Sequence, residues 1–221
     1  NSAAATGNGT ATLSGGQQNG AILIALKPGA VNYFVRKDAG ANLNLQNTSS
    51  WTDSEAGVGG NSPTNFTNAN QLFNIGFNDI TTHSISGNWT VSGSGSKIFI
   101  GDGETASSFE VGGSYVFTAA VDVEPMANFI LSTSGSLNGI SFEAIENNST
   151  VSYTASSGTQ TVKPATYSNL TLSGAGLKNA GGHITVNGTL HLGDNPNNER
   201  GQLEMTISYT NYADVHDENS T

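Results

Sequence analysis

The chain has 221 residues, of which 7 are Lys or Arg and 17 are Asp or Glu, giving a formal net charge of −10 at pH 7. This negative charge disfavours nucleic acid or an anionic membrane as a partner. The sequence contains no cysteine, which excludes disulfide bonds and thiol chemistry. No apolar run approaches the roughly 18 residues of a membrane-spanning helix, so we expect no membrane insertion.

Short alternating or apolar runs, separated by Gly, Asn, Ser or Pro, recur along the chain and predict β-strands. The first two, Thr10–Leu13 and Ala21–Leu26, form an N-terminal β segment. The later predicted strands are Val31–Arg36, Leu72–Phe77, Ser84–Val91, Lys97–Ile100, Ser108–Val111, Tyr115–Val123, Asn128–Ser132, Ile140–Ile145, Thr150–Thr154, Thr159–Val162, Asn169–Leu172, His183–Val186, Thr189–Leu192 and Gln202–Tyr209. No segment has helical periodicity over three turns, so the predicted fold class is all-β.

Two phrases of the sequence repeat each other. GNWTVSGSGSKIFIGD (87–102) and GHITVNGTLHLGD (182–194) share an opening Gly, a Thr-Val pair, a small-residue turn and a closing Gly-Asp. Strand pairs this short cannot bury an apolar face alone, but stacked coils bury each other's faces. We therefore predict a right-handed parallel β-helix, or solenoid, with coils of about 20–25 residues. In this interpretation each phrase is one coil and its Gly-Asp is a corner.

Three regions follow from this pattern. Residues 1–30 are an N-terminal β segment that caps the first coil or acts as an assembly strand, and residues 31–201 are the solenoid. Residues 202–221 are a last strand and a tail, which we expect to continue in a longer natural protein. Charged residues make up only 11% of the chain. Asn, Ser and Thr at solenoid turns supply surface polarity instead, by hydrogen bonding to the backbone.

Two stretches resemble a known group of proteins. Residues 33–77 contain YFVRKDAG and SSWTDSEAGVGGNSPTNFTNANQLFNIG, and residues 148–193 read NSTVSYTASSGTQTVKPATYSNLTLSGAGLKNAGGHITVNGTLHLG. They resemble the β-solenoid repeat region of large secreted or cell-surface, adhesin-like proteins of Bacteroidetes. The resemblance covers most of residues 31–195 and implies export by the type IX pathway through a C-terminal sorting domain, which is not visible here. It offers no catalytic motif to transfer.

Oxygen-rich clusters are the candidates for a metal site, and the ion they suit is calcium. Asp102 and Glu104 end the first repeated phrase, and Asp194, Asn197 and Glu199 follow the second. The second cluster departs from an EF-hand loop, because it has Pro at position 3 and lacks Gly at position 6. A structural corner at each Gly-Asp is the simpler interpretation, and apart from calcium we expect no cofactor.

Histidines and aromatic residues each allow two interpretations. His183 and His191 flank one turn and are either a metal pair or polar residues on neighbouring strands. Five aromatic residues form either a platform for sugar stacking or part of the core: Trp51, Phe66, Phe73, Phe77 and Trp89. The alternation around Phe73 and Trp89 favours the core.

A carbohydrate-active enzyme is the main alternative to a structural protein. Glycoside hydrolysis needs two carboxylates about 5–9.5 Å apart on a cleft floor. Asp122 and Glu124 alternate on one predicted strand and so face outward together, but no Lys or Arg neighbours them in the sequence. We therefore predict no enzymatic activity. A groove along one sheet, lined by carboxylates with aromatic or basic partners, would favour a polysaccharide-binding or polysaccharide-degrading protein; a flat Asn/Thr surface would not.

The sequence thus predicts a non-enzymatic extracellular or cell-surface β-solenoid with a structural or adhesive role, as a surface rod or a filament subunit. Its expected partners are surface glycans, other cells and further copies of itself, with partner specificity in the loop Asp53–Thr67. Open solenoid ends expose unpaired strands, which invites end-to-end strand donation. The assembly residues predicted for this contact are Thr10, Leu13, Ile22, Ile24 and Leu26.

Overall fold

The structure is a computed structural model that describes residues 29–38 and 43–193. Within this part of the chain the only helical element is a 3-10 turn, Thr48–Ser50. The strands are β1 (Val31–Val35), β2 (Trp51–Thr52), β3 (Gln71–Ile75), β4 (Thr82–Ser84), β5 (Trp89–Thr90), β6 (Lys97–Ile100), β7 (Ser108–Val111), β8 (Phe117–Val123), β9 (Asn128–Leu131), β10 (Ile140–Ile145), β11 (Thr150–Tyr153), β12 (Thr159–Val162), β13 (Ala165–Tyr167), β14 (Asn169–Leu172), β15 (Leu177–Ala180), β16 (Ile184–Val186) and β17 (Leu190–Leu192).

Two long sheets and two short ones form the sides of the molecule. Sheet A has the strand order β10-β8-β6-β3-β1-β2, with β5 beside β8, and sheet B has the order β17-β14-β11-β9-β7-β4. The short sheets are β12-β15 and β13-β16. Apart from β1 with β2, the paired strands are parallel, and each lies beside its counterpart one coil later. The chain is therefore a β-solenoid of about six turns, which confirms the predicted fold class.

The coils differ in length along the solenoid. Thr82 pairs with Ser108, 26 residues later, whereas Thr159 pairs with Leu177, only 18 residues later. The predicted length of about 20–25 residues therefore describes the middle coils and not the extremes. Because the strands keep similar lengths, the variation lies in the turns between them.

The repeated phrases do not each form a coil, so that prediction is wrong. In the first phrase β5 and β6 both pair with β8. In the second, β16 pairs with β13 while β17 pairs with β14 in sheet B. The phrase encodes strand–turn–strand, a local pattern that fits more than one position in a coil. The predicted strand Ser84–Val91 is likewise wrong, because β4 ends at Ser84 and β5 begins only at Trp89.

The core is a continuous column of inward-facing side chains. Phe73, Phe109 and Phe129 are fully buried, and Phe109 stacks on Phe129 with ring centroids 5.6 Å apart. Trp51 and Trp89 are also buried, with centroids 5.6 Å apart. The core interpretation of Trp51, Phe73 and Trp89 is thus confirmed. Phe66 and Phe77 are half-buried: Phe66 packs on Phe73 and Trp89, and Phe77 on Phe34.

One turn recurs where sheet A passes into sheet B. The Ala127 N–H donates to the Glu124 carbonyl and the Ser149 N–H donates to the Glu146 carbonyl, both at 3.1 Å. The third residue of each turn, Met126 or Asn148, has φ near +65°. Type II turns require this conformation and favour Gly or Asn there, so Met126 is the exception. Corresponding residues of the two earlier corners, Asn78 and Gly103, also have positive φ.

An insertion closes the N-terminal end of the described core. Val31 pairs with Gln71, 40 residues later, and the extra chain contains β2, which runs antiparallel to β1. The buried Trp51 indole donates to the Leu45 carbonyl at 2.8 Å, and Leu45 is itself buried. An edge strand of two residues offers little backbone to another chain. This cap lies inside the predicted solenoid region, where we did not expect one. The predicted N-terminal segment and the strand Gln202–Tyr209 lie outside the described residues.

Candidate functional site

The outer face of sheet B is neutral and polar. One column of outward residues, in register from coil to coil, is Thr82, Ser108, Asn128, Thr150 and Asn169. The Ser152 hydroxyl donates to the Asn128 amide oxygen at 2.9 Å, and the Thr189 N–H donates to the Asn169 amide oxygen at 3.0 Å. These polar groups therefore link successive coils. The exposed Thr159 and Thr161, on β12, lie beside Leu177 and Asn179 and so do not extend into a threonine array.

The outer face of sheet A carries a groove of about 380 Å³, which we call the sheet A groove. Its residues come from three coils: Val91, Ser92, Gly93, Gly95, Ser96, Lys97, Ala120 and Glu143. Ala120 is an outward residue of the central strand β8, paired with Ser141 on β10. Its small side chain leaves a depression between larger neighbours. The volume falls at the lower end of the range of about 300–1,000 Å³ for small-molecule sites.

The turn formed by residues 91–96 is a fixed wall of the groove. The Ser96 hydroxyl donates to the Asn68 carbonyl and accepts from the Gln71 N–H, both at 2.8 Å. The Asn70 N–H donates to the Ser94 carbonyl at 2.9 Å. A Cβ on Gly93 would lie 1.8 Å from the Asn68 carbonyl oxygen, so only glycine permits this approach. The wall is therefore held by the preceding coil.

A β-bulge places Glu143 beside the groove. The register of β10 with β8 shifts between Phe142 and Ala144, so Glu143 is the extra residue. Bulges bend a strand and redirect the side chain at the extra position. Glu143 is exposed, and no hydrogen bond or ion pair joins its carboxylate to another described residue. Its oxygens are thus available to a ligand as acceptors.

Lys97 and Asp122 form an ion pair beside the groove. The Lys97 ammonium lies 2.9 Å from Asp122 Oδ2 and 4.5 Å from the centre of the Phe99 ring. The Asp122 side chain is only 10% exposed, and its Oδ1 is buried without a hydrogen-bond partner among the described residues. Burial, followed by the charges of Asp122 and Glu146, raises the pKa of the neighbouring Glu124. The basic partner that we did not find beside Asp122 in the sequence comes from the preceding coil.

Asp102 binds backbone groups at the corner after β6. Its carboxylate accepts from the N–H groups of Asn78, Glu104 and Thr105 and from the Thr105 hydroxyl, at 2.7–2.9 Å. Burial opposes ionisation, but these four hydrogen bonds prevail and lower the pKa of Asp102 to about 2. The bond to Asn78 joins two coils, which supports the structural interpretation of this Gly-Asp corner.

Calcium binding stays a prediction. Asp102 uses both carboxylate oxygens within the protein, and Glu104 is exposed. In residues 29–38 and 43–193, no group of three or more His, Asp or Glu side chains is placed to hold a metal ion. The other calcium candidates, Asp194, Asn197 and Glu199, lie outside the described residues, as do the assembly residues Thr10, Leu13, Ile22, Ile24 and Leu26.

Asp102→Ala is expected to lower the free energy of unfolding by about 1–2 kcal/mol at pH 7, a value reduced for solvent screening. The folded-state pKa of about 2 lies below the ordinary 3.8, so the charge stabilises the fold above pH 4. That contribution disappears as the pH falls towards 2. Urea denaturation at pH 7 and at pH 2.5 measures the change. The exposed neighbour Glu104→Gln is the control, and equal stability of Asp102→Ala and wild type at pH 7 would contradict the corner role.

The histidines do not form a metal pair within the described chain. His183 and His191 are both exposed, consistent with polar residues at the surface. His83, which the sequence did not single out, has a side chain only 9% exposed, with Nε2 3.3 Å from Asp79. Burial lowers the pKa of His83, and Asp79 opposes this shift. His83 occupies the inward column that continues with Phe109, so it is part of the packing at the first corner.

Comparisons of the chain with protein-family models, curated proteins and solved structures give no match. The functional argument therefore rests on the surfaces described above. No helix among the described residues is long and apolar enough to cross a membrane.

Proposed function

We propose that this chain is a non-enzymatic structural and adhesive β-solenoid, located outside the cell or on its surface. The observation that carries the proposal is the continuous buried core through about six parallel coils. Backbone hydrogen bonds between every pair of coils make such a stack stiff along its axis. A stiff rod with few charged groups suits a role in spanning distance or presenting a binding face. The resemblance to secreted adhesin-like proteins agrees with this location and role.

The carboxylates beside the groove support a role without catalysis. Hydrolysis of a glycosidic bond needs one carboxylic acid and one free carboxylate in a cleft. Asp122 is nine-tenths buried and paired with Lys97, so it is poorly placed to reach a substrate. Glu143 is the single carboxylate that lines the groove in the described part of the chain.

Polysaccharide binding is the second candidate, and one observation favours it. The sheet A groove brings a carboxylate, Glu143, close to a basic group, Lys97, with the Phe99 ring beneath that group. This combination on one parallel sheet is the feature that we expected of a glycan-binding solenoid. Sheet B, with its Asn, Ser and Thr columns, lacks it. An adhesive rod and a glycan-binding protein are compatible, since adhesion to a cell surface requires a ligand.

Self-association through residues 1–29 is the proposed assembly route. We expect the full chain to form assemblies larger than a monomer in light scattering, and rods or filaments in electron microscopy. Deleting residues 1–29 is expected to leave monomers, because Ile22, Ile24 and Leu26 would then be absent as a donated strand. A full chain carrying Ile22→Asp and Ile24→Asp controls for the shortened length. Unchanged assembly size after the deletion rejects this route, and compact, non-adhering monomers of the full chain reject the rod.

A further inference from the structure

We infer that the sheet A groove binds one sugar unit of a neutral glycan. The inference rests on the proposed adhesive function and names the ligand class and the site. It uses the groove residues Ser92, Lys97, Ala120 and Glu143. Sheet B is not required for it.

The groove offers both donors and acceptors, as a polyhydroxyl ligand requires. The Lys97 ammonium has three N–H groups and directs one towards Asp122. The Glu143 carboxylate makes no hydrogen bond within the described chain, and Ser92 is exposed at the wall. Each hydroxyl of a sugar both donates and accepts, so neighbouring hydroxyls can bind the ammonium and the carboxylate together. Ala120 and Val91 provide an apolar floor for the C–H face of the ring.

The charge of the site selects against an acidic sugar. Asp122 already neutralises Lys97, so Glu143 leaves the groove with an excess negative charge. The whole chain carries a formal charge of −10, which further repels uronic acid or sulfated glycans. A neutral sugar avoids both penalties.

The strand arrangement selects against an extended peptide. Peptides that add to a sheet need an unpaired strand edge. Both β6 and β8 have a neighbour on each side in sheet A, so their backbone groups are already paired. The groove also lacks a deep apolar pocket for an anchoring side chain, because its floor is Ala120 and Val91.

The groove is pre-organised, which lowers the entropy cost of binding. Asp122 and the Phe99 ring hold the Lys97 ammonium, and Ser96 fixes the wall through Asn68 and Gln71. A ligand would therefore order few side chains on arrival. Glu143 is the main exposed group left to adjust.

The test is titration calorimetry on the full chain with neutral hexasaccharides of β-1,4-glucose, β-1,3-glucose and β-1,4-mannose, and with hexagalacturonate as the acidic probe. We expect a neutral probe to bind, and hexagalacturonate to bind at least about tenfold more weakly. Ala120→Gln fills the groove and should weaken binding at least about tenfold, while Glu143→Gln should weaken it about three- to tenfold. Thr171→Gln places the same side chain on the outer face of sheet B and should bind as wild type does.

Each outcome separates the groove from the wider function. If no neutral probe binds, or if Ala120→Gln binds as wild type does, the groove inference is overturned. Filaments or adhesion in that same preparation would leave the proposed structural role standing. Equal urea denaturation midpoints for Ala120→Gln and wild type ensure that lost binding is not lost folding. Stronger binding of hexagalacturonate would overturn the assignment to neutral glycans.

Discussion

Phe129→Ala is expected to lower the free energy of unfolding by about 3–5 kcal/mol, the range for truncating a buried Phe. Phe129 is fully buried on β9, in the middle of sheet B. Its ring stacks on Phe109 with an interplanar angle of 1° and meets Phe117 and Phe142 edge-on. Removing it leaves a cavity between consecutive coils and breaks the aromatic column near its centre.

Urea denaturation followed by tryptophan fluorescence measures this change, since Trp51 and Trp89 both lie in the column. Ile130→Ala, on the same strand but half-buried on the outer face, is the control and should cost less than about 1.5 kcal/mol. Because each coil contacts only its neighbours, we also expect the Phe129→Ala transition to become less cooperative. Similar losses for both variants would show that the column does not dominate stability.

Strand positions were predictable because the two faces of a strand have different surroundings. In β7 (Ser108–Val111) and β9 (Asn128–Leu131), every second residue is apolar and fully buried, while its neighbours are half-exposed. That period-2 pattern is visible in the sequence without knowledge of the fold. The parallel stacking followed from the short, one-sided strands, which need a neighbouring coil to cover them.

The candidate site was not predictable to the same degree, because it depends on which residues meet across coils. Lys97 reaches Asp122, 25 positions later, and Asp102 reaches Asn78, 24 positions earlier. Coil lengths vary with the turns, from 18 to 26 residues in the paired strands of the later and earlier coils. Without that length, sequence spacing cannot place a basic group beside a carboxylate. The bulge that exposes Glu143 has no turn residue to announce it.

The polar residues inside the third side of the solenoid were also unexpected. Lys178 on β15 is only 7% exposed, and its ammonium donates to the carbonyls of Ala155 and Gly176 at 3.1 and 2.8 Å. Burial lowers the pKa of Lys178. Lys178 lies directly beside Gln160 of the preceding coil, so the two form a buried polar column. In sequence the segment TQTV resembles an exposed strand with one apolar residue.

Gln160→Leu is expected to destabilise the fold by about 2–4 kcal/mol, although leucine has a similar volume and is more hydrophobic. Gln160 is 1% exposed, and its amide donates to the carbonyls of Leu131 and Thr133 at 2.7 and 2.9 Å. Its side-chain oxygen also accepts from the buried Ala155 N–H at 3.3 Å. The Thr133 carbonyl and the Ala155 N–H would lose these bonds without access to water, and that desolvation outweighs the gain in apolar burial.

Thr161→Val, on the exposed face of the same strand, controls for the change in β-propensity and should alter stability by less than about 0.5 kcal/mol. Amide hydrogen exchange adds a local test, because the Ala155 N–H should exchange faster in Gln160→Leu while the amides of β3 and β6 keep their protection. Gln160→Glu separates shape from hydrogen bonding. It keeps the acceptor for Ala155 but loses the two N–H donors, and the buried charge is uncompensated, so it should destabilise at least as strongly as leucine. A Gln160→Leu variant as stable as wild type would show that apolar packing alone holds this side, as it holds the other two.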